Sequence, residues 1–147
     1  MNSILKTVIA TAWVAMFVSC ADYHSNLART LMVHQNEELF RQRAVEFIRF
    51  AQRGDVDNLM KFTSRLTLKN SGSNHVRKVY LEQVVPAFRG AVINWNKKGE
   101  ICEDEFRNAG FTFSGLAHKE ASKSFYLDVF GEGGELVITN IRSTPRE

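Results

Sequence analysis

Tyr126 and Asp128 stand two residues apart in the alternating segment KSFYLDVF, and they are the first residues whose types could do chemistry. Residues i and i+2 of a strand share one face, about 7 Å apart, so the two side chains could work as an acid–base pair inside a pocket. The alternative is the solvent-facing side of a sheet. We favour that alternative, because antiparallel sheets commonly keep one face in water.

The histidines and cysteines show no metal-ligand spacing, and no metal or other cofactor is expected. The four histidines are His24, His34, His75 and His118, for which we expect surface or capping positions. Cys102 lies in the acidic segment GEICEDEF, where nearby carboxylates would raise the pKa of its thiol, so we interpret it as structural. The segment GEGG precedes a strand, which indicates a hairpin turn and not a phosphate-binding loop.

Composition indicates one ordinary globular domain. The chain has 147 residues, of which 24% are charged, and its formal net charge is +3. That charge is spread thinly, so nucleic acid is not an expected partner. Four arginines of the first predicted helix could form a basic surface, but glutamates alternate with them and favour a solvated helix face. They are Arg41, Arg43, Arg49 and Arg53.

Helical spacing dominates the first part of the mature chain. In EELFRQRAVEFIRFAQRGD, apolar residues recur every three or four positions, at Phe40, Ala44, Phe47, Ile48 and Ala51. Gly54 is then the expected C-cap and Asp55 the N-cap of a second helix, VDNLMKFTSRL. Leu59, Met60 and Phe62 are its predicted buried side.

The composition of Lys69–Asn74 predicts a loop, after which HVRKVYLEQVVPAF is expected to form a third helix that Pro86 ends or kinks. Its predicted buried face is Val76, Val79, Tyr80, Gln83 and Val84.

Strands follow the helices. AVINW is short and β-branched, GFTFSGLAHK and KSFYLDVF alternate, and ELVITNIRS follows the turn GEGG. The last two segments predict an antiparallel hairpin, and FTFSGL is the expected third strand of the sheet. Helices first and antiparallel strands after them are typical of an α+β fold, with the N-terminal helices packed on one face of the sheet.

The leader differs from the rest of the chain. Residues 1–19 carry one charge, Lys6, and the run from Thr7 to Val18 is apolar or small. This length fits the apolar core of a secretory signal, whereas a membrane-spanning helix needs about 20 apolar residues.

The segment VAMFVSCAD resembles the bacterial lipoprotein signal, or lipobox. Val18 and Ser19 occupy its two positions before the cysteine, and Phe17 stands where leucine is usual. The resemblance implies cleavage before Cys20 and lipid attachment to its sulfur and its new amine, with several acyl chains holding the protein on a membrane. Ala21 implies sorting to the outer membrane, facing the periplasm. Two alternatives stay open: an uncleaved signal anchor, and ordinary cleavage with Cys20 paired to Cys102.

A long amphipathic helix, the segment AQRGDVDNLMKF, a third helix and strands ending in ELVITNIR together resemble the NTF2-like superfamily. The resemblance spans residues 37–143 and implies helices on a curved antiparallel sheet, in a cone that often holds a pocket. Enzymes of ketosteroid-isomerase type place a carboxylate and a tyrosine in that pocket, roles that Asp128, Tyr126 and Tyr80 would fill here. Leu136 stands where the family usually has tryptophan. The alternative fold is a cystatin-like or other domain with one helix on a sheet, which needs only the first helix to be long.

The sequence therefore predicts a signal peptide at 1–19, a tether at 20–36 and one NTF2-like domain at 37–147. The expected function is that of an envelope lipoprotein that binds a protein partner without catalysis, such as a secretion or conjugation component, an inhibitor or an immunity protein. The alternative is a small-ligand carrier or an enzyme of ketosteroid-isomerase type. A buried Asp128 in an apolar cavity would favour the alternative, and an exposed Asp128 over a filled core would favour the binding module.

Overall fold

A computed structural model of the chain describes residues 36–104 and 108–145. The predicted leader, the predicted lipidation site Cys20 and all but the last residue of the predicted tether lie outside these residues. Within these described residues, five helices and a π turn precede five strands. The helical bounds are α1 Glu37–Arg53, α2 Val56–Phe62, α3 Arg65–Ser71, α4 Ser73–Val79, the π turn Tyr80–Val84 and α5 Val85–Phe88. The strand bounds are β1 Val92–Trp95, β2 Glu100–Glu103, β3 Ala109–His118, β4 Ser122–Glu132 and β5 Glu135–Pro145.

Helix α1 forms as its apolar spacing predicts, and all five expected core residues are buried. Gly54 ends it in the left-handed conformation at φ 72°, which costs glycine little because it has no Cβ. Asp55 then caps α2 through its carboxylate, which accepts the backbone N–H of Asn58 at 3.2 Å. The predicted buried side of α2 is partly wrong: Val56 and Leu59 are buried, whereas Met60 and Phe62 are half-buried.

The loop predicted at Lys69–Asn74 is mostly helical. Helices α3 and α4 are separated only by Gly72, whose φ is 79°. Ser64 caps α3 by accepting the N–H groups of Leu66 and Thr67 at 3.1 and 3.4 Å. The local composition does not indicate this helix, because hydrogen bonds from a distant residue stabilise its first turn, as described below.

The third predicted helix is not a regular one. The π turn Tyr80–Val84 ends two residues before Pro86, and the N–H of Val85 bonds to the carbonyl of Tyr80, five residues back. The wider turn carries the chain past a proline that an α-helix would not accommodate without a lost bond. It also shifts the buried face, so Gln83 is exposed where burial was predicted, while Val84, Val85 and Phe88 are buried.

The sheet is antiparallel and five-stranded, in the order β1, β3, β4, β5, with β2 also beside β3. Strand β1 pairs with the Gly115–His118 half of β3, and β2 pairs with the Ala109–Thr112 half. Helix α1 packs across β3, β4 and β5. The predicted α+β class, with N-terminal helices on an antiparallel sheet, is confirmed.

Aromatic rings fill the layer between the helices and the sheet. Phe40 of α1 meets Phe111 edge-on at 5.3 Å between centroids, and Phe88 meets Phe125 at 5.2 Å. The ring of Trp95 also meets that of Phe125 edge-on, at 5.1 Å between centroids. Such edge-to-face pairs stabilise a core beyond the area that they bury.

Strand β5 holds the helical layer to the sheet edge. A bulge displaces its register against β4 between Asp128 and Val129, where Thr139 is the extra residue. Next to the bulge, Thr63 forms an isolated parallel bridge with Ile138. The segment between α2 and α3 therefore continues the sheet for one residue pair before the chain turns back into a helix.

Candidate functional site: the outer face of the sheet

The alternation of β4 places Tyr126 and Asp128 on the face of the sheet that points away from the helices. Phe125, Leu127 and Val129 face inward and are at most 1% exposed, whereas Tyr126 is 39% exposed. Tyr126 therefore faces solvent, as the sequence analysis favours, whereas the Asp128 side chain lies on the same face but is only 15% exposed.

Asp128 is held by side chains from both neighbouring strands. Thr112 Oγ1 donates to its Oδ1 at 2.7 Å, and Asn140 Nδ2 donates to its Oδ2 at 3.0 Å. Arg142 adds an ion pair, with Nη2 3.5 Å from Oδ2. Thr112 and Asn140 are the direct cross-strand partners of Asp128, so sheet register alone builds the cluster. All three contacts fix the carboxylate on the open side of the sheet.

Tyr126 and Arg142 form the exposed part of this face. They are paired across β4 and β5, with the guanidinium carbon 5.8 Å from the ring centroid. The Arg142 side chain is 58% exposed, which leaves its charge available to a partner despite the contact with Asp128. Ser114, opposite Tyr126 on β3, accepts a hydrogen bond from Asn96 Nδ2 at 2.6 Å. We call Ser114, Tyr126, Asp128, Asn140 and Arg142 the outer-face cluster.

Tyr80 does not join the outer-face cluster. It lies in the core at 5% exposure, and its ring meets Phe47 edge-on at 5.8 Å. Its hydroxyl is 2.6 Å from Thr63 Oγ1. Burial raises the pKa of Tyr80, and the hydrogen bond with Thr63 opposes that rise. The three residues that the family resemblance grouped are thus split between the core and the outer face.

Cys102 lies on β2 opposite Gly110 and is half-buried with a free thiol. Burial is the main cause that raises the pKa of this thiol, with further contributions from the charges of Asp128 and Asp104. This is the direction that the sequence predicts, but burial contributes more to it than the acidic neighbours do. A raised thiol pKa lowers reactivity, which fits a structural residue.

Two of the four α1 arginines are bound within the fold. Arg41 donates to the backbone oxygens of Asn96 and Lys97 at 3.0 and 2.8 Å. Arg43 donates to the backbone oxygen of Leu136 at 2.6 Å, and its guanidinium stacks 3.5 Å over the ring of Phe62. Both join α1 to the sheet or to α2, so they contribute less to a basic surface than their charges suggest.

Two further polar contacts were not expected from the sequence. His118 Nδ1 lies 2.7 Å from Ser122 Oγ across the β3–β4 turn, in agreement with a surface role at a strand end. The second is at Glu132, whose carboxylate accepts the N–H groups of Arg65 and Leu66 at 2.8 and 3.4 Å at the start of α3. The sequence indicates the His118–Ser122 contact only through the short spacing of the two residues in HKEAS. It gives no sign of the Glu132 contact, which joins residues 67 positions apart.

Neither a metal site nor a membrane span is found in the part of the chain that the structure describes. No group of three His, Cys, Asp or Glu residues there could hold a metal ion. None of the described helices combines the length and the apolar character needed to cross a bilayer.

No protein-family model, curated protein or solved structure matches the chain. The fold and the site therefore rest on the residues and contacts given above.

Proposed function

We propose that this chain is a non-catalytic binding module of a bacterial cell envelope, held on the outer membrane by lipid on Cys20 and facing the periplasm. Its partner is another envelope protein, as in a secretion or conjugation assembly or in an inhibitor or immunity complex. The resemblance of VAMFVSCAD to a lipobox supports the proposed location on a membrane. The position of Asp128 supports the absence of catalysis.

Asp128 carries this proposal because its position separates the two expected functions. A base of ketosteroid-isomerase type works inside an apolar cavity, where its surroundings adjust its proton affinity. Here the carboxylate lies on the outer face, bonded to Thr112 and Asn140 and paired with Arg142. Aromatic side chains fill the opposite side of the sheet, and Tyr80 points there, away from Asp128.

The outer-face cluster has the composition of a protein contact. Tyrosine and arginine are the residue types most enriched where binding energy concentrates, because each combines a large flat surface with directed hydrogen bonds. Tyr126 and Arg142 are side by side and exposed, and cross-strand partners limit the movement of Arg142 before binding. A matching surface would offer an apolar recess to the ring and an acidic group to the guanidinium.

We also propose that the fold is NTF2-like. Support comes from the order of the elements: a long first helix, the Gly54–Asp55 junction, further helices and then an antiparallel sheet that the helices cover on one side. The likeness concerns shape alone and assigns no activity.

A crosslinked pull-down from intact cells of the native host tests the binding role. Full-length wild-type chain is compared with Cys20→Ala, which removes the anchor, and with Tyr126→Ala, which removes the exposed ring. Lys123→Ala is the matched control, because Lys123 is exposed on β4 but belongs to the opposite alternation. We expect one set of partners with wild type and Lys123→Ala, and its loss in the other two variants. Partners that persist in all four chains, or none with wild type, would contradict the proposal.

Mass spectrometry of the same protein tests the lipid anchor separately. The expected N-terminus is Cys20 with a diacylglycerol on its sulfur and an acyl group on its amine. An intact leader, or an unmodified N-terminal residue, would contradict the proposed lipid anchor. The binding role of the outer face would still be tested by the Tyr126→Ala variant.

A further inference from the structure

We infer that the free edge of β5, from Ile141 to Ser143, accepts an extended peptide segment of a partner protein, which adds to the sheet beside β5. This edge adjoins the outer-face cluster, because Arg142 lies between Ile141 and Ser143. The edge offers main-chain groups and the cluster offers side chains, so the inference holds whether or not the cluster binds a partner.

One end of the β5 edge is already occupied, and this shows how the edge pairs. Ser64 N–H donates to the Ile138 oxygen at 2.9 Å, and Thr67 Oγ1 donates to the Thr139 oxygen at 3.3 Å. The chain then turns away into α3. Beyond Thr139, no described residue pairs with this side of β5, which is the last strand of the sheet order. An unpaired strand edge is a template for another strand.

The direction of the main-chain groups follows from the contact of Thr139. Its carbonyl faces away from β4, because it accepts the hydroxyl of Thr67 on α3. The described residues contain no cis peptide bond, so the N–H of Asn140 points the opposite way, toward β4. Alternation along an extended strand then turns the N–H and C=O of Ile141 and Ser143 outward. These groups are the hydrogen-bonding edge offered to a peptide.

Two clefts beside this edge supply places for side chains. One, of about 190 Å³, lies between β5 and the residues around Tyr80, and the other, of about 170 Å³, lies between β5 and the residues around Val84. Val79 and Ile141 line both clefts, so the two are neighbours along the strand. The π turn runs between them. In strand addition, main-chain bonds supply affinity and such recesses select alternate side chains.

The size and lining of the clefts identify the occupant as an unfolded segment with apolar side chains. Each cleft has room for little more than one side chain, whereas a second copy of this chain would bring helices of its own against the same edge. Each wall combines aliphatic and polar side chains. The first cleft has Val76, Val79 and Ile138 beside Thr67 and Asn140, and the second has Val84, Ala87 and Ile141 beside Gln83 and Ser143. We therefore expect apolar residues at alternate positions of the bound peptide.

The experiment selects binders from a phage-displayed library of random 12-residue peptides on the full-length chain in detergent. Amide hydrogen exchange is then measured by NMR with the best synthetic peptide. We expect the amides of Ile141 and Ser143 to exchange fast in the free chain and to become protected in the complex. Selected peptides should share alternating apolar positions.

Ser143→Pro is the decisive variant, because it removes an outward N–H without removing a bond to β4. It should weaken the selected peptide about tenfold, while Ser143→Thr, which keeps the N–H, should bind like wild type. Equal binding by Ser143→Pro, an empty selection, or peptide-induced chemical-shift changes at Tyr126 without protection of Ile141 and Ser143 would each overturn the inference. So would a chain that self-associates through this edge, with association lost in Ser143→Pro. Protection already present in the free chain and lost on deletion of residues 21–35 would assign the edge to the tether.

Discussion

The hydroxyl groups of Tyr80 and Thr63 lie 2.6 Å apart inside the core, and they join the π turn to the segment that bridges β5. Thr63 Oγ1 also donates to the Leu59 oxygen at 2.8 Å. Since a hydroxyl has one hydrogen, Tyr80 must donate to Thr63. The helical layer and the sheet edge thus meet at a buried chain of hydrogen bonds, in which Tyr80 donates to Thr63 and Thr63 donates to Leu59.

This direction predicts unequal effects of removing the two hydroxyls. Tyr80→Phe removes the donor and leaves Thr63 bonded to Leu59, so the loss should be about 1 kcal/mol of unfolding free energy. Thr63→Val leaves the Tyr80 hydroxyl and the Leu59 carbonyl buried without partners, which should cost about 1–3 kcal/mol. Urea denaturation of both variants measures the difference. A larger loss for Tyr80→Phe would contradict the assigned donor.

Stability should fall at alkaline pH because of Tyr80. Burial raises its pKa in the folded chain above the ordinary value of about 10, so the unfolded chain loses this proton first. The tyrosine's contribution is complete below the unfolded pKa and disappears as pH rises toward the folded pKa. Denaturation midpoints above about pH 10 should therefore decline less steeply in Tyr80→Phe than in wild type. Tyr126→Phe serves as the matched exposed control, and an equal effect from it would refute the assignment to Tyr80.

Gly115 should not tolerate a methyl group. A Cβ there would lie 2.6 Å from the Asn94 carbonyl oxygen and 2.8 Å from the Phe125 ring. Gly115→Ala should cost about 1–3 kcal/mol through overpacking. Gly131→Ala is the control on the neighbouring strand, where nothing lies within 4 Å of the added atom, and it should be neutral or slightly stabilising. Thermal unfolding of the two variants checks this, and equal midpoints would show that the sheet relaxes around Gly115.

Glu132 should stabilise α3 from outside it. Glu132→Gln removes the negative charge facing the N–H groups of Arg65 and Leu66, at an expected cost of about 0.5–1 kcal/mol. Exchange of the Arg65 amide should quicken. Glu135→Gln, across the hairpin turn and exposed, removes the same charge without that contact. If both variants exchange alike, the cap has no measurable role.

The sequence predicted the elements whose stabilising contacts are encoded in local spacing. The stripe from Phe40 to Ala51 and the alternation from Phe125 to Val129 each repeat often enough to define a buried face, and both faces are as expected. Asp55 was recognisable as a cap because its partner, Asn58, is three residues away.

The rest depended on contacts between distant residues. Helix α3 begins against Glu132, so the turn-like composition of Lys69–Asn74 gave no sign of it. Gln83 was misplaced because a π turn inserts one residue into the helical period, which no apolar pattern shows. The alternation of β4 predicted that Tyr126 and Asp128 share one face of the sheet. Which face the helices cover depends on tertiary packing, so the sequence could not show that Tyr80 lies on the opposite side of the sheet.

The bridge between Thr63 and Ile138 has a consequence for biosynthesis. The helices are made first, yet the segment between α2 and α3 finds its backbone partner only in the final strand, and the nearby Thr67–Thr139 bond spans 72 positions. A nascent chain must emerge almost completely before these contacts close, so folding is delayed until synthesis is nearly finished. A chain that terminates before Ile138 would lack the strand to which the segment between α2 and α3 binds.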